Sequence, residues 1–251
     1  MRIIENISYG EYERNLLDIY LPDSESSSVM VYFHGGGIES GSKEEEYMVR
    51  IAKVFAQRGI AMVCPTYRLY PNAKYPEFIE DCAKAVAWVF ENIKDYITPE
   101  KIFIAGQSAG AYITQNLCFN KEYLGKYGIT NDDIAGYYFD AGQPTTHFNI
   151  LNERGLDPKQ VVVDDAAPMY YIDGNAKYPP MLLVVSDNDM PNRYEQTMLL
   201  LAVLRNFGYD MNKIELIIKE NSTHCAYNLV MDENGNPSMT EPIYEFIMKY
   251  K

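Results

Sequence analysis

The sequence predicts an α/β fold in which a mainly parallel central sheet carries helices on both faces. Two observations predict it. From Val29 onward, short apolar, β-rich runs alternate with longer amphipathic runs, the pattern of strand–helix–strand units. The 251 residues also fit one large α/β domain, since such domains run to about 200–250 residues. A single domain spanning 1–251 is therefore expected, and no internal repeat or low-complexity tract argues otherwise.

The elements follow in order. Ile3–Tyr9 and Leu16–Pro22 read as an opening hairpin. Val29–Phe33 is a compact apolar run, read as a buried strand. Residues 44–58 form a helix closed by Gly59, a suitable C-terminal cap, and Ile60–Pro65 is the next strand. Between Phe78 and Ile93, the residues Ile79, Ala83, Val86, Phe90 and Ile93 fall on one helical stripe. Lys101–Gly106 is a strand that runs into a helix over 109–119. Further strands are expected at Ala135–Asp140, Met181–Ser186 and Lys213–Lys219, and helices at Tyr194–Phe207 and Pro242–Tyr250.

One stretch breaks the rhythm. Between Ala141 and Pro180 no strand–helix unit is visible. A loop that long inside a compact domain is usually functional. It is read as a small cap or lid insertion, rather than a disordered excursion, with Phe148–Leu151, Val161–Val163 and Met169–Ile172 as apolar anchors.

Composition narrows the partners. The formal net charge of −13 repels phosphate backbones and anionic lipid, which argues against nucleic-acid and membrane partners. A small-molecule substrate remains. No apolar run approaches the roughly 18–20 residues needed to span a bilayer, and the N-terminus lacks the apolar stretch of a signal peptide. Cys64, Cys82, Cys118 and Cys225 show no metal-type spacing, and three lie in apolar runs as reduced core residues. A cytoplasmic location follows as the expectation. The 22 tyrosines suit a pocket for polar–apolar substrates, although most are expected half-buried at the surface.

The sharpest local signal is Gly106-Gln107-Ser108-Ala109-Gly110, placed where a strand ends and a helix begins. A nucleophile elbow requires that context, with small flanking residues so that the serine hydroxyl stands above the sheet. The second signal is His34-Gly35-Gly36-Gly37, directly after the strand ending at Phe33. Bare glycine backbone lets N–H groups approach a substrate oxygen, and such a loop joins the N–H after the nucleophile to form an oxyanion hole. Gly36, Gly37 and Ala109 are the expected donors. A phosphate cradle is the alternative, but no G-K-[ST] follows in Walker spacing.

A serine hydroxyl needs a base, and the chain has three histidines. His34 belongs to the glycine loop. His147 falls in the presumed cap, where a surface position is expected ahead of one lining the pocket. His224 follows a strand and the turn residues Glu220–Thr223, at the sheet's C-terminal edge, and is the expected base. The supporting carboxylate should follow the strand ending at Ser186, where Asp187 and Asp189 are available. Asp189 is preferred, because the loop needs a few residues to leave the strand before turning inward. A reactive Cys225 thiol beside His224 is disfavoured, since adjacent side chains point apart and no cationic cluster is present.

Together these motifs resemble the hormone-sensitive-lipase-like and small carboxylesterase branch of the α/β-hydrolases. They are also similar to bacterial esterases acting on acetylated or feruloylated xylan. The stretch Tyr67-Arg68-Leu69-Tyr70-Pro71, with Tyr75-Pro76, Asp81 and Trp88, resembles that family's YRLAPE block, in which the Arg and Asp are structural partners. SDND followed by RYEQT resembles the family's acid-bearing segment and aligns Asp189 with the acid.

The resemblance implies an α/β-hydrolase fold and a serine carboxylesterase using Ser108, His224 and Asp189, with no metal or organic cofactor. Two departures stand out. Ile38 follows the glycines where many relatives carry an aromatic residue, and the N-terminal helical cap of lipase-like members is missing. Short acyl groups such as acetyl, including those on carbohydrate esters, are therefore expected. The competing readings are a small-amide hydrolase such as a formamidase and, from another class, a non-catalytic ligand receptor on the same fold.

Overall fold

The computed structural model describes residues 1–251. Eight strands form one sheet: β1 Arg2–Ser8, β2 Leu16–Leu21, β3 Ser26–Phe33, β4 Ala61–Pro65, β5 Thr98–Gln107, β6 Gly136–Asp140, β7 Met181–Asn188 and β8 Ile214–Thr223. Their order is β1-β2-β4-β3-β5-β6-β7-β8. β1 and β2 pair antiparallel with each other, and β2 is antiparallel to β4. All later pairs are parallel. The helices are α1 Glu46–Gln57, α2 Glu77–Asn92, α3 Ala109–Phe119, α4 Lys121–Gly125, α5 Phe148–Glu153, α6 Arg193–Asn206 and α7 Thr240–Tyr250.

The inner strands read as unbroken apolar runs because both of their faces are covered. Along β3, Val29, Val31 and Phe33 pack in one cluster with residues of α2, α3 and α6. Met30 and Tyr32, between them, join the opposite cluster with residues of α1 and α7. The period of two along a strand thus divides one sequence run between two cores.

Several expectations shift at this level. β7 and β8 run further than their apolar cores, so Glu220–Thr223 is strand rather than turn. On α2 the buried face also takes in Cys82, Ala85 and Val89, while Phe90 is half-exposed. All eleven residues of α3 are buried, because the 141–180 segment covers its outer side: the Tyr112 hydroxyl donates to Ala166 O at 2.6 Å.

That segment holds α5 and a short 3₁₀ turn at Pro168–Tyr171. Ile150, Leu151, Met169 and Ile172 anchor it in the interior, as their apolar character predicts. Val161 and Val163 do not; they are 49% and 46% exposed. Twelve of the 22 tyrosines are half-buried or exposed, as expected, while Tyr32, Tyr67, Tyr112, Tyr137 and Tyr138 are among the largest fully buried side chains. The aromatic body satisfies a core position whenever neighbouring rings accommodate it.

Parallel strands end on a common edge. That edge brings together His34 after β3, Ser108 after β5, Asp140 at the end of β6, Asp189 after β7 and His224 after β8. In open α/β sheets, the crevice beyond the carboxyl ends of the strands is where ligands bind. No helix is long and apolar enough to cross a membrane.

Candidate active site

Ser108 sits alone between β5 and α3 with φ 52° and ψ −111°. A non-glycine residue at positive φ is strained, and such strain persists only where the surroundings enforce it. Gly106 and Gly110 are what permit the turn. A methyl group on Gly106 would strike the Gly110 carbonyl, and one on Gly110 would strike the Phe33 carbonyl. Backbone is packed on backbone here, so no side chain fits.

The serine oxygen is held at 2.8 Å from His224 Nε2, and His224 Nδ1 lies 2.6 Å from Asp189 Oδ1. A carboxylate only accepts, so Nδ1 carries the proton and Nε2 presents its lone pair to the Ser108 hydroxyl. The Asp189 side chain is fully buried, whereas His224 is 23% exposed. Burial pushes the Asp189 carboxyl up, but the hydrogen bond and charge of His224, the Met190 N–H and the Arg193 cation hold it below the usual carboxylate range.

Asp187, two residues earlier, points elsewhere. It is exposed and accepts the Asn221 N–H at 2.8 Å and the Ser222 N–H at 3.2 Å, fastening β7 to β8. The structure brings Asp189 to the imidazole and leaves Asp187 as a backbone staple.

The glycine loop lies against the elbow: a Cβ on Gly35 would come within 3.3 Å of Ser108 Cβ. The N–H groups of Gly36 and Gly37 donate to no protein acceptor. Ala109 opens α3, where N–H groups lack intrahelical partners and the helix dipole favours negative charge. His34 supports this loop from behind. Its ring stacks on Tyr67 at 4.3 Å, its Nδ1 donates to Gly35 O at 2.8 Å, and burial pushes its pKa down to about 4. It is a neutral strut.

Three features were not legible in the sequence. Asn149 of α5 donates to Gly37 O at 2.6 Å, so the 141–180 segment braces the glycine loop. Arg193, 3% exposed, gives one nitrogen to Ala141 O and another to Gln143 Oε1, fixing the start of the same segment against α6. Asp140 is a third buried partner of this edge. Nothing local marks any of them; each acts through residues distant in the chain.

Two expectations are corrected. His147 is 2% exposed, not at the surface; it caps α5 by accepting the Asn149 N–H and packs between Tyr112 and Phe148. Burial drives its pKa well below the ordinary value. Cys225 does not point away from His224, because its φ of 56° turns the sulfur to within 3.7 Å of Nε2. Burial nonetheless pushes its thiol well up, which removes the thiolate that reactivity requires. Cys64, Cys82 and Cys118 are buried and free.

Beside the Asp189 loop, a cavity of about 190 Å³ opens between α6 and the 141–180 segment, lined by Gln143, Phe148, Lys159, Gln160, Arg193 and Gln196 among others. No group of three or more His, Cys, Asp or Glu side chains is arranged to hold a metal ion.

Known proteins share this architecture. The structure of an esterase from Thermogutta terrifontis superposes with a TM-score of 0.76 over 98% of this chain and 91% of its own, at 21% identity. Residues 17–124 match the BD-FAE family. The fold is that of the α/β-hydrolases. The chain is 30% identical over 245 residues to a probable isoprenylcysteine alpha-carbonyl methylesterase of Oryza sativa subsp. japonica, a match covering 89% of this chain and 58% of that protein. It is 32% identical over 110 residues to the kynurenine formamidase of Danio rerio, covering 43% of this α/β-hydrolase and 36% of the relative. The matched stretch spans less than two thirds of either relative.

Proposed function

We propose that this α/β-hydrolase is a serine carboxylesterase acting on short-acyl esters. Ser108 is the nucleophile, His224 the general base and Asp189 the carboxylate that fixes the imidazole. One observation carries the reading: an unbroken hydrogen-bonded relay from the Ser108 hydroxyl to a buried carboxylate, set beside backbone N–H groups with no protein partner. The Ser108 oxygen attacks the ester carbonyl as His224 Nε2 takes its proton. The carbonyl oxygen becomes an oxyanion held by the N–H groups of Gly36, Gly37 and Ala109, each donor contributing about 3–4 kcal/mol in comparable sites. The imidazolium returns the proton to the departing alcohol. Water, deprotonated by the same histidine, then releases the acid from Ser108.

The substrate reading is a small acyl group on a polar, hydroxyl-bearing alcohol, with acetylated carbohydrates as the class. The cavity beside the acid, at about 190 Å³, is smaller than the roughly 300–1,000 Å³ typical of drug-sized ligand pockets. The surface that cavity presents is mostly apolar despite its amides, which suits a short acyl group, and the carbohydrate alcohol rests on the family resemblance alone.

The formamidase relative favours a second reading, hydrolysis of small formamides by the same residues. Comparing N-formylkynurenine, acetylated xylo-oligosaccharides and p-nitrophenyl esters of rising chain length separates the two. Preference for acetyl or butyryl esters is expected, and peak activity on long chains would sink the short-acyl claim. Ser108→Ala should abolish p-nitrophenyl acetate hydrolysis without unfolding the protein, and substantial residual turnover refutes the assignment. Failure of a fluorophosphonate to form an adduct at Ser108 would revive the receptor alternative.

A further inference from the structure

Asp140 is fully buried at the end of β6 and has no part in the mechanism above, on which this inference rests. Its side-chain hydrogen-bond partners are neutral. The Tyr227 hydroxyl donates to one carboxyl oxygen, and Asn228 Nδ2 donates to the other at 2.7 Å. A carboxylate buried with only neutral partners is costly, so its position invites a reason.

The backbone supplies one half of it. Gln107 pairs with Asp140 across the β5–β6 ladder, and the Asp140 carbonyl accepts the Ser108 N–H at 2.7 Å. The side chain supplies the other half, because Tyr227 and Asn228 lie three and four residues beyond His224. The intervening turn is stiff. Asn228 N donates to Cys225 O at 3.0 Å, and Ser238 Oγ holds Tyr227 O at 2.7 Å. On the other side of His224, Ser186 Oγ grips Thr223 O at 2.9 Å. One residue therefore touches the nucleophile through its main chain and the base-bearing turn through its carboxylate.

We propose that Asp140 is a positioning residue: its carboxylate holds the His224 turn, through Tyr227 and Asn228, at the separation from Ser108 that proton transfer requires. The ionised group faces Tyr138 on its own strand, Tyr32 on β3, Tyr47 on α1, Lys219 on β8, and His224, Cys225 and Tyr227 in the turn. Of these, Lys219 is a cation, and His224 becomes one when it takes the Ser108 proton. Burial pushes the Asp140 carboxyl up to about 6 against the opposing hydrogen bonds of Tyr227 and Asn228.

The sign of that shift separates positioning from simple stabilisation. A carboxyl with a raised folded pKa favours the folded state as pH falls from about 6 towards the unfolded value of about 3.9, and costs stability above it. Removing the charge should therefore slow the enzyme without lowering Tm at neutral pH. For Asp140→Asn, kcat on p-nitrophenyl acetate should fall roughly 10- to 100-fold with KM little changed, the loss expected of a misplaced base. Its acid limb should lack the ionisation near pH 6 expected of Asp140 in the wild type.

Tyr227→Phe removes one tether while leaving the carboxylate, and should show a smaller fall in kcat with the Asp140 ionisation retained but moved upward, since the Tyr227 hydrogen bond opposes the rise. Active-site titration with a fluorophosphonate sets the concentration of competent enzyme in each variant. If Asp140→Asn does not fold, Tyr227→Phe decides alone. Wild-type kcat per titrated site in either variant overturns the proposal. If Ser108→Ala itself keeps turnover, the esterase reading fails instead, and the two failures are told apart.

Discussion

Asp189 and Asp140 leave adjacent strands, both are hidden from solvent, and both lie near His224. They nonetheless ionise in opposite directions. Asp189 faces the imidazole N–H, a backbone N–H and the field of Arg193, and these outweigh its burial. Asp140 faces a phenol and an amide, which do not. The difference teaches that burial alone does not assign a carboxylate its role; the charge of what it touches does. Asp187 completes the contrast, since its exposed oxygens are saturated by two backbone N–H groups of the neighbouring strand.

Substitutions can break that comparison. The largest effect is expected from Asp189→Asn, which keeps the shape but replaces an acceptor-only carboxylate with an amide that can donate, so the imidazole tautomer is no longer selected. Steady-state kinetics should show kcat lower by about 10⁴-fold, and a loss no greater than that of Asp140→Asn would erase the distinction. Next comes Asn149→Ala, which frees the Gly37 carbonyl and loosens the glycine loop proposed to hold the oxyanion. A fall of roughly tenfold in kcat, with Tm nearly unchanged, is expected from a small displacement of one donor, and unchanged kcat would show that the brace is dispensable. The smallest effect belongs to Asp187→Asn. Its turnover should match the wild type, and a large loss there would mean that the two loop aspartates share one task.

How much of this was readable in the chain depended on how local each demand is. The elbow around Ser108 and the run at Gly35–Gly37 were legible because neighbouring backbone leaves no room for a Cβ at Gly36, Gly106 and Gly110, and Gly37 takes a positive φ of 64°. His224 was found by elimination among three histidines, and Asp189 by the length of the loop it sits in. Arg68 and Asp81, given by family resemblance, do meet, with Nε and Nη2 donating to the two carboxylate oxygens at 2.8 and 2.9 Å.

The 141–180 segment was the opposite case. Its periodicity is too short to announce α5, and Val161–Val163 looks like an anchor until three-dimensional packing leaves it outside. His147 misled for the same reason: a histidine in a loop gives no hint that Tyr112 and Phe148 will enclose it. Asp140 was read only as the last residue of a strand, since its partners come more than eighty positions later.

The bond from Asn149 to Gly37 has a further consequence. On the proposed reading, the segment beside the cavity and the glycine loop that would hold the oxyanion are joined by the Asn149 amide. A change of α5 that reshapes the cavity would then also move the loop beside Ser108, so selectivity and speed would not be independently adjustable. A lineage acquiring a new ester preference would be expected to keep Asn149 and vary the residues around it.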